Sequence, residues 1–230
     1  MQLSAEKQKQ ADYIYLILAG IFIASLVSCN LIFQKFFTWS PFGLYTFEIS
    51  VGILPYPITF LVTDLISEIY GLKRANRVVM AGLISSVFVL GVVSLAEVST
   101  ATDWSPVSDQ EFSKVFGLTG AAVGASMAAY LAAQFIDIRL FHFWKRLTKG
   151  KHLWIRNNFS TMTSQLVDTT IVVGILCILD KIEWDLFGQL VVAGWLFKVI
   201  VAAFDTPFLY LSTWGIRKYL GLNGSEEVEF

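Results

Sequence analysis

Six stretches of about 20 mostly apolar residues run along this chain, each long enough to cross the ~30 Å hydrocarbon core of a bilayer as a helix. They are Tyr13–Phe33, Phe47–Gly71, Val78–Ala96, Leu118–Ile138, Phe159–Leu179 and Leu186–Leu211. In lipid every backbone N–H and C=O must find its partner inside the protein, so such stretches become helices. Of the 230 residues 55% are hydrophobic and 15% are charged, against about 25% charged in a soluble domain. A soluble core of this size cannot absorb that surplus. The expected fold is an all-α membrane protein with six transmembrane helices. Residues 1–12 are read as a tail, 13–220 as a single transmembrane domain, and 221–230 as a polar, disordered tail. The first stretch is longer than a signal h-region and no small-x-small site follows it, so it is read as a retained span.

Orientation follows from the connections. Thirteen Lys and Arg fall in the N-terminal tail, the second and fourth connections and the C-terminal tail, against Lys35, Lys114 and Lys181 on the other side. That bias places both termini in the cytoplasm. Trp39, Trp104, Trp144, Trp154, Trp184 and Trp214 lie near span ends, as an aromatic belt requires. Trp195 alone sits well inside a span and is a ligand candidate, with helix packing the plainer reading.

Small residues recur at four-residue steps: Gly20, Ala24 and Ser28 in the first span, and Gly120, Gly124, Ala128 and Ala132 in the fourth, beside Ala121, Ala125, Ala129 and Ala133. Such faces let backbones approach closely. Packing within the bundle is expected, with a homodimer interface or a docking face for a partner as the alternative.

Ionisable groups inside spans carry more information, because each costs about 2.5–3.5 kcal/mol at a helix centre. They are Asp64 and Glu68, Asp137, Asp168, and Lys198 and Asp205. Asp64 and Glu68 are four apart and share a helix face. Gln134-Phe-Ile-Asp137 and Gln165-Leu-Val-Asp168 repeat one pattern. A carboxylate accepts hydrogen bonds and a carboxamide both donates and accepts, so together they can read the edge of a planar heterocycle. Interhelical hydrogen bonding is the competing reading for each pair. Five acids against one lysine imply a wetted cavity, protonated acids or a cationic ligand. Pro55 and Pro57 cannot both sit inside a helix. The second helix is therefore expected to be broken there and to begin near Pro57, with irregular backbone before it. Asp205-Thr206-Pro207 again sets an acid beside a break.

These stretches resemble a known family. Leu54-Pro-Tyr-Pro-Ile-Thr-Phe-Leu-Val-Thr-Asp-Leu-Ile-Ser-Glu-Ile-Tyr-Gly71 is similar to the signature of the queuosine precursor transporter family, also called the vitamin uptake transporter family. Trp154-Ile-Arg-Asn-Asn-Phe-Ser-Thr-Met-Thr-Ser-Gln-Leu-Val-Asp168 resembles its second signature, and Phe204-Asp-Thr-Pro207 a third. The similarity runs from about Tyr13 to Leu220. It implies six helices in a bacterial inner membrane, uptake of 7-deazaguanine bases such as 7-cyano-7-deazaguanine, and no ATPase domain on this chain. From the residues themselves, the expected substrate-binding set is Asp64, Glu68, Gln165 and Asp168, with Asn30, Tyr56, Gln134, Lys198, Asp205 and Trp195 as further members. Tyr56, Phe60 or Trp195 would cover the flat face of the base.

Other classes find little support. Net charge is −1, which favours no nucleic-acid partner. Cys29 and Cys177 lie in apolar stretches and read as buried apolar groups; with no CxxC, and His142 and His152 ten apart in a basic loop, no metal or other cofactor is expected. No nucleophile–base motif marks an intramembrane enzyme. The expected partners are a small molecule and membrane lipid. Within transport, the alternative is the substrate-binding membrane subunit of a vitamin importer that uses a separate ATPase module, docked on the stripe of the first span.

Overall fold

The computed structural model describes residues 4–32, 35–40, 43, 46–116, 120–149, 151–178, 183–224 and 226–228. The expected span ends Phe33, Leu118 and Leu179, and Lys181, lie outside them, as do the side chains of Ala121, Ala125 and Arg156. The helices are α1 (Ala5–Ile32), α2 (Tyr56–Tyr70), α3 (Leu72–Glu97), α4 (Asp109–Phe116), α5 (Gly120–Leu147), α6 (Leu153–Ile178) and α7 (Phe187–Leu220). Strands β1 (Phe36–Trp39) and β2 (Phe47–Ser50) form an antiparallel hairpin, with Phe36 opposite Ser50 and Trp39 opposite Phe47. The protein is an all-α membrane protein in class. Among the described residues four segments are long and apolar enough to cross a membrane: Ala5–Ile32, Val51–Tyr70, Leu72–Glu97 and Trp184–Leu220.

The second apolar stretch departs most from a simple span. Its first residues form β2, then a 3-10 turn over Val51–Ile53, and the helix starts only at Tyr56 with Pro57 in its first turn. That position suits proline, because the first helical N–H groups have no intrahelical acceptor. The resulting α2 has 15 residues, about 22 Å at 1.5 Å per residue. It is short, but every residue from Val62 to Tyr70 is buried, so it is enclosed on all sides. The longer helices shield it. Their outer faces carry exposed apolar side chains, such as Leu16 and Ile21 on α1, Ile84 and Phe88 on α3, and Leu196, Phe204 and Leu211 on α7, as a lipid-facing surface requires.

Gly71 turns the chain between α2 and α3 at φ +80°, a conformation that L side chains rarely adopt. At Gly82, an added Cβ would come within 2.6 Å of the Phe22 ring, so there α1 and α3 touch closely. The four-residue stripes behave otherwise. Ala129 and Ala133 are buried, while Gly124 and Ala128 face outward, and so do Gly20, Ala24 and Ser28 on α1. Among the described residues, neither Gly20 nor Gly124 has an atom within 4 Å of an added Cβ. Packing inside the bundle thus uses one fourth-span stripe and leaves the other, with that of α1, outside it.

The ends differ from the sequence reading as well. Helix α1 begins at Ala5, so most of the expected N-terminal tail is helical. The described part of the C-terminal tail is docked rather than disordered. Leu222 and Val228 are buried in the core with Ile69, and the Val228 N–H donates to the Ile69 carbonyl at 2.8 Å. The reason is apolar: these two side chains fill space that α2 leaves beside Ile69 and Tyr70.

Candidate functional site

Helices α2, α6 and α7 border a partly open pocket of about 300 Å³, counting the space at its mouth, lined by Ile53, Tyr56, Pro57, Phe60, Thr161, Gln165, Phe197, Lys198, Val201, Ala202 and Asp205. It lies where the late start of α2 leaves room. Tyr56 and Phe60 are four apart on α2, with ring centroids 5.3 Å from each other, and Tyr130 of α5 packs edge-on to both. Phe197 supplies a further aromatic wall and meets Trp39 of the hairpin edge-on at 5.5 Å.

The polar groups fall into two kinds. Lys198 Nζ donates to Asp168 Oδ2 at 2.5 Å, linking α7 to α6, and lies 4.9 Å from the centroid of the Tyr56 ring. The Tyr56 hydroxyl lies beside the same carboxylate. Asp168 and Lys198 thus neutralise each other, as a buried pair must. Asp205 is different: it lines the pocket, and among the described residues no hydrogen bond or ion pair holds it. Gln165 is buried with its Oε1 unsatisfied. An unmet acceptor in a buried site costs about 1–3 kcal/mol until something donates to it.

Of the ten residues expected from sequence, Tyr56, Gln165, Lys198 and Asp205 line this pocket, and Asp168 joins it through Lys198. The rest go elsewhere. Asp64 meets the carboxyl of Asp137, which also contacts Ser160, Thr161 and Ser164 in a buried knot of α2, α5 and α6. Gln134 donates to Thr63 Oγ1 at 2.5 Å, fastening α5 to α2. Glu68 sits at the far end of α2, against Arg217 at 2.9 Å and Lys145 at 3.5 Å. Trp195 donates its indole N–H to the Met162 carbonyl at 2.8 Å, fastening α7 to α6. Asn30 lines a separate cavity of about 390 Å³ between α1, α3 and α4, together with Ser86 and Phe116. The sequence reading missed Phe197 and Thr161. Phe197 directly precedes Lys198, but nothing in an apolar span distinguishes it from its neighbours.

Near the pocket α7 is weakened by Pro207, which denies a backbone hydrogen bond to the preceding turn. Beside it the Thr206 hydroxyl donates to the Ala202 carbonyl at 3.3 Å and accepts from Asn158 of α6 at 3.0 Å, tying this turn to α6.

A multi-pass apolar bundle with a partly unsatisfied polar pocket is a build that suits a membrane transporter. Residues 50–212 match the family described as "Putative vitamin uptake transporter". The match spans most of the chain, and the protein belongs to this family of bacterial inner-membrane transporters. Among curated relatives, the "Probable queuosine precursor transporter" of Bacillus subtilis (strain 168) is 27% identical over 171 residues, 73% of this chain and 72% of its own. The "Queuosine precursor transporter" of Escherichia coli (strain K12) is 28% identical over 132 residues, 56% of this chain and 55% of its own. The "Probable queuosine precursor transporter" of Haemophilus influenzae is 25% identical over 221 residues, 92% of this chain and 88% of its own. No solved structure matches the chain.

Proposed function

We propose that the protein imports queuosine precursors, 7-deazaguanine bases such as 7-cyano-7-deazaguanine, and that the base binds between α2, α6 and α7. One observation carries the reading: an aromatic-walled pocket keeps an uncompensated carboxylate, Asp205, near an unsatisfied carboxamide, Gln165. A guanine-type edge offers adjacent N–H donors that a carboxylate takes in a forked contact. A further N–H of the base donates to the unmet Gln165 Oε1 and its carbonyl accepts from Lys198, while Tyr56, Phe60 and Phe197 cover the ring faces. The names of the relatives supply the substrate class.

In this reading the chain crosses the membrane six times and both termini are cytoplasmic. Helices α5 and α6, with 28 and 26 residues, are about 42 and 39 Å long at 1.5 Å per residue, enough to cross despite their polar residues. One end of the bundle gathers cations from all four basic segments. There Lys7 lies against Gly221, Arg74 stacks 5.0 Å over the Tyr15 ring, and Lys145 and Arg217 meet around Glu68. That grouping supports a single cytoplasmic face.

The test is uptake of labelled 7-cyano-7-deazaguanine into right-side-out vesicles, with and without a proton gradient. Saturable uptake that unlabelled base competes away is expected. Uptake no faster than in vesicles lacking the protein overturns the reading. The outward stripe Gly20, Ala24 and Ser28 favours one alternative, a membrane subunit served by a separate ATPase; ATP-dependent uptake with a copurifying ATPase would establish it.

A further inference from the structure

At the end of α2 away from the pocket lies a second charged cluster, built on different rules. Glu68, Lys145 and Arg217 come from α2, α5 and α7, and the fourth member, Glu227, comes from the C-terminal tail. Arg217 meets Glu68 Oε1 at 2.9 Å; Lys145 meets Glu68 Oε2 at 3.5 Å and Glu227 Oε1 at 2.7 Å. Two cations thus face two carboxylates. Arg217 also donates to the carbonyls of Glu226 at 3.0 Å and Glu68 at 3.2 Å. The tail covers the end of α2, with Val228 bonded to Ile69 and the Glu227 carboxylate over Gly71, where an added Cβ would collide with it.

We propose that this junction is the cytoplasmic gate of the transporter, and that the C-terminal tail is its removable bolt. The proposal rests on the transport reading above. Three facts support it. The pocket is lined at the start of α2, by Tyr56, and the junction holds its last turn; the two are about 18 Å apart along one helix. A single rigid helix therefore touches both, as a coupling element must. The junction also lies at the end where the basic segments gather. Finally, its strength suits an openable contact. Buried ion pairs roughly offset their own desolvation, so once Glu227 leaves, Lys145 and Arg217 regain water while Glu68 keeps a partner. The side chain of Glu227 is already 42% exposed, which gives release a starting point.

Substituted-cysteine labelling tests this. The background is the full chain with Cys29→Ala and Cys177→Ala, and the reporter is Ser67→Cys, a near-isosteric change at a fully buried position one residue from Glu68. A maleimide is applied from the basic side in inside-out vesicles. Glu227→Gln is expected to raise the labelling rate at least tenfold, and a chain ending at Gly224 to do the same. Saturating 7-cyano-7-deazaguanine is expected to raise labelling several-fold in the background protein, with little further rise in Glu227→Gln. Affinity for the base should rise several-fold in Glu227→Gln, because a ligand that favours the open junction binds better once the junction is already open. Unchanged labelling in both tail variants overturns the proposal. So does increased labelling accompanied by loss of the folded gel-filtration peak, which makes the tail a static brace. If the background protein binds no base, the functional reading fails, and the tail variants still decide whether the bolt seals this end.

Discussion

The two ends of α2 handle buried charge in opposite ways. At Glu68 every formal charge meets an opposite one, and Lys145, Arg217 and Glu227 close the set. At Tyr56 the pair Asp168–Lys198 balances, but Asp205 and Gln165 are left over. A residue that completes a pair holds the fold, and one left over is available to a ligand. The difference matters because Glu68 and Asp168 are both buried, so burial alone does not separate structure from site.

The largest effect should come from breaking a complete set. Glu68→Ala leaves Lys145 and Arg217 crowded together with one carboxylate remaining. Removing one partner of a buried pair costs about 3–5 kcal/mol, enough to consume much of a typical stability. We expect a severe loss of folded protein, read as yield of the monodisperse gel-filtration peak. A Glu68→Ala protein with wild-type melting temperature would end the distinction between the two ends.

Asp205→Asn should do the reverse. No described group is orphaned by it, so thermal stability should hold within about 0.5 kcal/mol. Affinity for 7-cyano-7-deazaguanine should fall about 10- to 100-fold, matching roughly 1.5–3 kcal/mol for hydrogen bonds to a charged group. Isothermal titration with melting curves on one preparation reads both. Unchanged affinity removes Asp205 from the site.

A smaller effect sharpens the boundary. Trp195→Phe keeps an aromatic ring, though a smaller one, and deletes the hydrogen bond to Met162, worth about 0.5–1.5 kcal/mol. Melting temperature should drop slightly while uptake kinetics stay unchanged. A raised KM with unaltered melting would return Trp195 to the list of ligand contacts.

Much of this was open to reading and some was not, for reasons visible in particular residues. Pro55 and Pro57 dictate where α2 can start, so the break could be foreseen. The hairpin could not, because Phe47–Ser50 joins the next apolar run without a polar boundary. Spacing along one helix shows that Gln165 and Asp168 share a face. It does not show which helix that face meets: sequence leaves Lys198 open to pair with Asp205 or with Asp168, and only three dimensions select Asp168, as they do Thr63 for Gln134. The tail misled because Glu226 and Glu227 looked solvated, while Leu222 and Val228 among them mark a chain that packs. Small residues predict closeness but not direction, which is why the Gly124 stripe faces outward.

That outward stripe yields the smallest expected effect. With no described atom within 4 Å of an added Cβ at Gly124, Gly124→Leu should meet no described neighbour within the monomer. Leucine is also the better helix former, by about 0.8 kcal/mol over glycine. The isolated chain should therefore fold at wild-type yield, with a melting temperature equal or slightly raised. Its uptake should be unchanged if α5 presents this face to lipid alone. Lost uptake with an intact fold would mean that a second chain sits on α5, because only a close helix neighbour would be displaced by the larger side chain. A cross-linking ladder from Gly124→Cys, present or absent in native membranes, separates those outcomes without reference to substrate.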